Sequence, residues 1–79
     1  MIMIYNEPNQ CLIRDDKGIL HLFSYLTEIL KIDPNKRLVI FDGYFSKTST
    51  NHIKKCLDFL EIDIKFDKST QEKCLKISY

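Results

Sequence analysis

Alanine and tryptophan are absent from this 79-residue sequence, and it holds one valine, two glycines and two prolines. A disordered or low-complexity chain would not combine that scarcity with 44% hydrophobic and 11% aromatic residues, so that class is excluded. No apolar run reaches the roughly 18 residues that a membrane-spanning helix needs, and no membrane partner is expected. Neither sign of charge dominates: 12 basic and 11 acidic residues leave +1, which does not by itself announce a nucleic-acid or membrane surface. The three cysteines, Cys11, Cys56 and Cys74, are odd in number, far apart and without a C-x-x-C pair. That argues against a disulfide framework or a zinc site, and buried, inert thiols are expected. The start lacks the arrangement of a secretory signal, so a reducing, cytoplasmic location is expected.

What the chain does contain is eleven Ile, nine Leu and ten Lys against two Arg. Lysine over arginine, with little Ala, Gly or Pro, is the bias of AT-rich coding, and a phage or another mobile element is among the expected sources. The length allows a single domain over residues 1–79. A core of this size leaves about 3–5 kcal/mol of net stability, so association is a natural supplement.

Met1–Tyr5 reads as an apolar strand ended by the turn formers Asn6-Glu7-Pro8-Asn9, with Cys11–Arg14 as its hairpin partner. From Ile19 the apolar residues fall at 19, 22, 23, 26, 29 and 30, the stripe of an amphipathic helix capped by Asp15 or Asp16. The same stretch also permits a strand over Ile19–Phe23, hairpinned to Cys11–Arg14 through Asp-Lys-Gly. The helix is preferred because the stripe runs on past that segment. Asp33-Pro34-Asn35 stops it. Arg37–Phe41 is a strand with apolar residues at both parities. Ile53, Cys56, Leu57 and Leu60 mark a second helix, Ile62–Asp67 alternates as a half-buried strand, and Leu75, Ile77 and Tyr79 form a last one. The expected fold is therefore α/β, a single small two-layer domain in the order β-β-α-β-α-β-β. Right-handed crossovers would build a mixed five-stranded sheet with two helices. Two helices on one face would leave Met1–Tyr5 and Leu38–Phe41 with an uncovered apolar side, suited to self-association; one helix on each face would not.

In an open α/β sheet, ligands gather beyond the carboxyl ends of parallel strands. Here that is the stretch from Asp42 to His52, the densest set of reactive side chains. Ser46, Lys47 and Thr48 resemble the end of a phosphate-binding loop, but Phe41 and Ser46 stand where its two glycines belong. An anion site at Ser46, Lys47 and Thr48 remains, against the plainer reading of a helix cap. His21 and His52 have no Cys or carboxylate at ligand spacing, no catalytic constellation is evident, and neither metal nor cofactor is expected. Ser46–Leu57 carries three lysines and a histidine without an acid, followed by the acidic stretch Asp58–Asp67. Tyr44 and Phe45 are aromatic candidates for a binding hot spot.

The expected function is thus a small non-enzymatic protein that binds another protein, as regulator, inhibitor or adaptor, through Tyr44, Phe45, Lys47, His52, Lys54 and Lys55. Homo-oligomerisation is a further expectation. The alternatives are nucleic-acid binding by Lys47, Lys54 and Lys55, and a small ligand- or anion-binding domain or hydrolase at Asp42–His52.

Overall fold

The computed structural model describes residues 1–43 and 46–79. Five strands follow one another: β1 (Ile2–Glu7), β2 (Gln10–Arg14), β3 (Leu20–Ser24), β4 (Thr27–Asp33) and β5 (Leu38–Phe41). Two helices, α1 (Lys47–Phe59) and α2 (Lys68–Glu72), come before a closing strand, β6 (Lys76–Ser78). All six strands lie in sequence order in one sheet, and each neighbouring pair is antiparallel. The chain is a small α/β domain with two helices, as expected. The mixed five-stranded sheet and the β-β-α-β-α-β-β order are corrected: the sheet has six strands, and both helices fall between β5 and β6.

The expected first helix is the β3–β4 hairpin, and β3 pairs with β2 through Leu12↔Leu22 and Ile13↔His21. The helix-like spacing has a physical origin. Opposite β3, the register passes from Leu22↔Leu30 to Phe23↔Glu28, so Ile29 is an extra residue in a β-bulge. The bulge turns Ile29 and Leu30 inward together, and both are buried. A doubled apolar residue interrupts the period of two and imitates a helical stripe.

Ile62–Asp67 is likewise not a strand of the sheet. Its alternation does report burial: Ile62, Ile64 and Phe66 pack on the core while Asp63, Lys65 and Asp67 stay outside. Phe66 lies against Phe41 with ring centroids 5.4 Å apart. An alternating pattern demands one buried side; it does not demand a hydrogen-bonded neighbour.

Strand parity shows that both helices cover the same face. Leu12, Leu22, Leu30 and Phe41 form one cross-strand row, flanked by Leu20, Ile32 and Val39. With Ile53, Cys56 and Leu57 of α1 they make the core. Each fully buried aliphatic side chain contributes about 1.5–3 kcal/mol. α1 packs across β3 and β4, α2 against β5. Ser46 caps α1 by accepting from the Ser49 amide while the Ser49 hydroxyl accepts from the Ser46 amide. Gly43 (φ +79°) lets the chain leave β5 close to the end of α2, where a Cβ would stand 2.7 Å from Cys74 Sγ. Among the described residues no helix is long and apolar enough to cross a membrane.

The cysteines differ from the expectation of uniform burial. Cys56 is buried, Cys11 is intermediate and Cys74 is exposed, because the tight turn after α2 holds Cys74 at the surface. Burial also pushes the Cys56 thiol up to about 11. Thiol labelling of the native protein at neutral pH, followed by mass spectrometry, should modify Cys74 first and Cys56 only on unfolding. Native labelling of Cys56 as fast as that of Cys74 would contradict this packing.

Candidate partner-binding surface

An antiparallel meander sorts its turns to two ends. At one end lie the β1–β2 turn, the β3–β4 turn and the middle of α1. Tyr25 N–H donates to the Asn9 carbonyl across the two turns at 2.7 Å. Lys55 of α1 pairs with Glu7 of β1, which also accepts from Gln10 Nε2 at 3.0 Å. The Lys55 hydrogen bond holds the Glu7 carboxyl below the usual range.

His52 is turned inward at this end. It is 8% exposed, and its Nδ1 shares a 2.8 Å hydrogen bond with the buried Ser24 hydroxyl. Burial lowers its pKa, the Glu7 charge works against that, and Lys55 adds to it. The ring therefore docks α1 on β3 in its neutral form.

Next to it stands the tip of the β3–β4 hairpin. Ser24 pairs with Thr27, so Tyr25 and Leu26 alone make the turn. Tyr25 has φ 56° and Leu26 is not left-handed, an arrangement that favours Gly at the first position. A large side chain there costs about 1–2 kcal/mol. Tyr25 lies tilted beside the His52 ring, centroids 6.3 Å apart, but remains 60% exposed, and Leu26 is 97% exposed. Neither the turn nor the core explains these two residues. They escaped the sequence reading because Leu26 counted as part of a helical stripe; Tyr-Leu at a two-residue turn is the signal that could have found them.

Of the residues singled out from sequence, Tyr44 and Phe45 lie outside the described residues. Ser46 is occupied as the α1 cap, while Lys47 and Thr48 are exposed in the first turn. Lys54 and Lys55 are exposed on α1, and of the two it is Lys55 that reaches the tip end, through its pair with Glu7. Asp42 and His52 are separated by the sheet: Asp42 approaches Lys31 on the uncovered face at 3.8 Å, whereas His52 is on the helix side.

The uncovered face carries a second cluster. His21 Nε2 is 2.8 Å from Asp15 Oδ2 and its Nδ1 is 2.6 Å from Glu28 Oε1. With a carboxylate at each nitrogen, both nitrogens must donate, which requires the imidazolium. Burial alone would lower the His21 pKa, but the Asp15 and Glu28 hydrogen bonds outweigh it and raise the value. Lys31 extends the chain of charges from Glu28 to Asp42. Among the described residues, no three His, Cys, Asp or Glu side chains come together as a metal site.

Fold and surface define a class: a six-stranded antiparallel meander, covered by helices on one face, with an apolar hairpin tip beside a basic helix. The chain belongs to the family described as "Family of unknown function (DUF8033)", which it matches over residues 3–76. No curated protein and no solved structure matches it.

The two histidines should act on stability with opposite signs. His21, raised on folding, contributes fully below its unfolded pKa of about 6.5 and loses that contribution as pH rises through the folded value. His52, lowered on folding, contributes above about 6.5 and loses its contribution as pH falls through its folded value. NMR titration should place the His21 midpoint above that of His52. Denaturation series should show His21→Gln losing most stability at acid pH and His52→Gln at neutral pH. Midpoints in the reverse order would contradict both assignments.

Proposed function

We propose that this protein works by binding another protein, with the Tyr25–Leu26 tip as the anchor and the lysines of α1 at its rim. The observation that carries the reading is the 97% exposure of Leu26 beside a left-handed Tyr25. Large apolar residues in a turn that favours glycine, neither buried by the fold, are side chains held out for a contact elsewhere. Tyrosine is also among the residue types enriched at hot spots. The exposed lysines of α1, of which Lys55 reaches the tip end through Glu7, suit a rim that steers encounter more than it holds the complex. Nucleic-acid binding is the second reading, favoured by Lys47 and Lys54, which are exposed and form no ion pair among the described residues.

The discriminating variant combines Tyr25→Gly with Leu26→Asn. Glycine suits the backbone at position 25 and Asn suits a turn, so stability should stay within about 1 kcal/mol of the parent or exceed it. Binding should fall by about 2 kcal/mol or more, close to thirty-fold. Quantitative pull-down from the source cell checks this: proteins captured by the parent should be lost with the tip variant and weakened by Lys54→Ala. Capture unaffected by the tip variant would overturn the reading. Oligonucleotide binding that disappears with Lys47→Ala, Lys54→Ala and Lys55→Ala, with a log–log salt slope of roughly −2 to −3, would move the function to nucleic acid.

A further inference from the structure

The meander leaves two edges, and they are unequal. β6 is three residues long and carries Lys76, a length and a charge that discourage a further strand. β1 is six residues long and has no charged side chain before Glu7. Among the described residues no strand or loop bonds to its outer edge, so the backbone there presents a row of N–H and C=O groups to solvent.

Apolar side chains gather on the same edge. Apart from Tyr25, Leu26 and Leu75, every large apolar residue exposed among the described residues belongs to it: Met1, Ile2, Met3 and Phe59. Phe59 belongs because the flank of α1 follows β1, with Lys55 on Glu7 and, one turn on, Phe59 on Tyr5 at 5.3 Å between ring centroids. α1 itself packs chiefly across β3 and β4, so Ile2 stays 51% and Phe59 56% exposed. Register places Ile2 and Tyr5 on the helix side, opposite Arg14 and Leu12, and Met3 on the other face, opposite Ile13. Ile4 is the extra residue of a β-bulge and packs inward with Tyr5.

We propose that this edge is the interface of a symmetric dimer, in which β1 pairs antiparallel with β1 of a second copy and joins the two sheets into one. The occupant follows from self-complementarity. A two-fold axis normal to the sheet near Ile4 sets the two strands antiparallel and keeps both helix faces on one side. Ile2 and Ile4 of each copy then come beside Tyr5 and Phe59 of the other, so each contact is made twice. Uncharged strands also meet without opposing like charges, which would destabilise the pair. The hydrogen bonds alone accept any strand; apolar residues at these positions and a second aromatic to close over them come with a second copy. Each copy withdraws on the order of 100 Å² from each of its four exposed side chains. With the strand edges the pair removes on the order of 1,000 Å², the lower end of a specific interface. The bulge shortens the straight run of β1 and keeps the dimer weak. Since both copies use the same edge, assembly closes at two, and Lys76 guards the outer edges.

Analytical ultracentrifugation of the full chain from about 10 µM to 1 mM, the span of weak complexes, tests the proposal together with amide hydrogen exchange. The edge variant is Ile2→Lys with Met3→Lys, both at exposed positions, and circular dichroism checks that it is folded. The parent mass should double across that range and stop at two, and amides of β1 should exchange more slowly at 1 mM than at 10 µM. The edge variant should shift the rise to concentrations at least ten-fold higher and lose the exchange difference. Phe59→Ser, which leaves β1 untouched, should shift it in the same direction. Tyr25→Gly with Leu26→Asn should dimerise like the parent.

A parent that stays monomeric at 1 mM overturns the proposal. So does association that continues past two copies, survives both the edge variant and Phe59→Ser unchanged, or is lost with the tip variant. A monomeric parent whose β1 amides are slowed only by extract of the source cell gives the edge to a different protein and overturns the second copy as its occupant. None of these outcomes touches capture through the tip, which the pull-down with the tip variant decides separately.

Discussion

Everything in this molecule follows from where the helices are inserted. In a meander of sequence order β1 to β6 every connection but one is a tight turn, and the exception, between β5 and β6, carries α1, α2 and the Ile62–Asp67 strap. A connection that leaves and rejoins adjacent antiparallel strands lies over one side of the sheet, so all the apolar cover arrives on one face. Leu12, Leu22, Leu30 and Phe41 supply the matching row beneath it. The other face has to manage in water, and the strand ends are left free to carry side chains the core does not need.

The shortage of glycine has a consequence at those ends. With only two glycines in the chain, four other residues among those described take left-handed backbone: Tyr25, Arg37, Glu61 and Cys74. Three of them have a local reason. Arg37 stacks its guanidinium over the Tyr79 ring at 4.7 Å and donates from Nε to the Tyr79 carbonyl. Glu61 reverses the chain after α1, where Ile62 N–H returns to the Leu57 carbonyl, and Cys74 does the same after α2, where Leu75 N–H returns to that of Thr70. Tyr25 has its amide bond to Asn9 and the His52 ring beside it, but an asparagine or glycine would make the same turn without the strain. Nothing among the described residues explains its side chain, and the proposed contact rests on that.

Much of the architecture was legible in the sequence. The β1–β2 hairpin, β5, β6 and α1 with its serine cap stand where periodicity and turn chemistry put them, because each buries one regular stripe. The departure at β3 and β4 has one cause, and the Ile62–Asp67 strap another, since there alternation marks burial without a strand neighbour. The bulge at Ile29 breaks the alternation of β4, so the hairpin carries a helix-like stripe, and the parallel crossover that such a helix implies points to the turn after β5. Leu26 falls within that supposed core stripe for the same reason, and Tyr25 beside it then reads as mid-helix and not as a turn. The Ser24–His52 bond was illegible for a different reason: it joins residues 28 apart in sequence, and no local pattern carries such a pairing.

The uncovered face supports placing the proposed recognition at the tip and not on the flat of the sheet. Met3, Ile13, Phe23, Leu38 and Ile40 share that face, yet Asp15, His21, Glu28, Lys31 and Asp42 run across it from the β2–β3 turn to the end of β5 in alternating sign. A partner laid across it would have to desolvate that whole series, and taking paired charges out of water is seldom repaid. The tip presents the reverse balance: apolar surface already stripped of any role in the core, with charges only beside it. Binding there removes hydrophobic area from water and leaves the lysines hydrated at the rim.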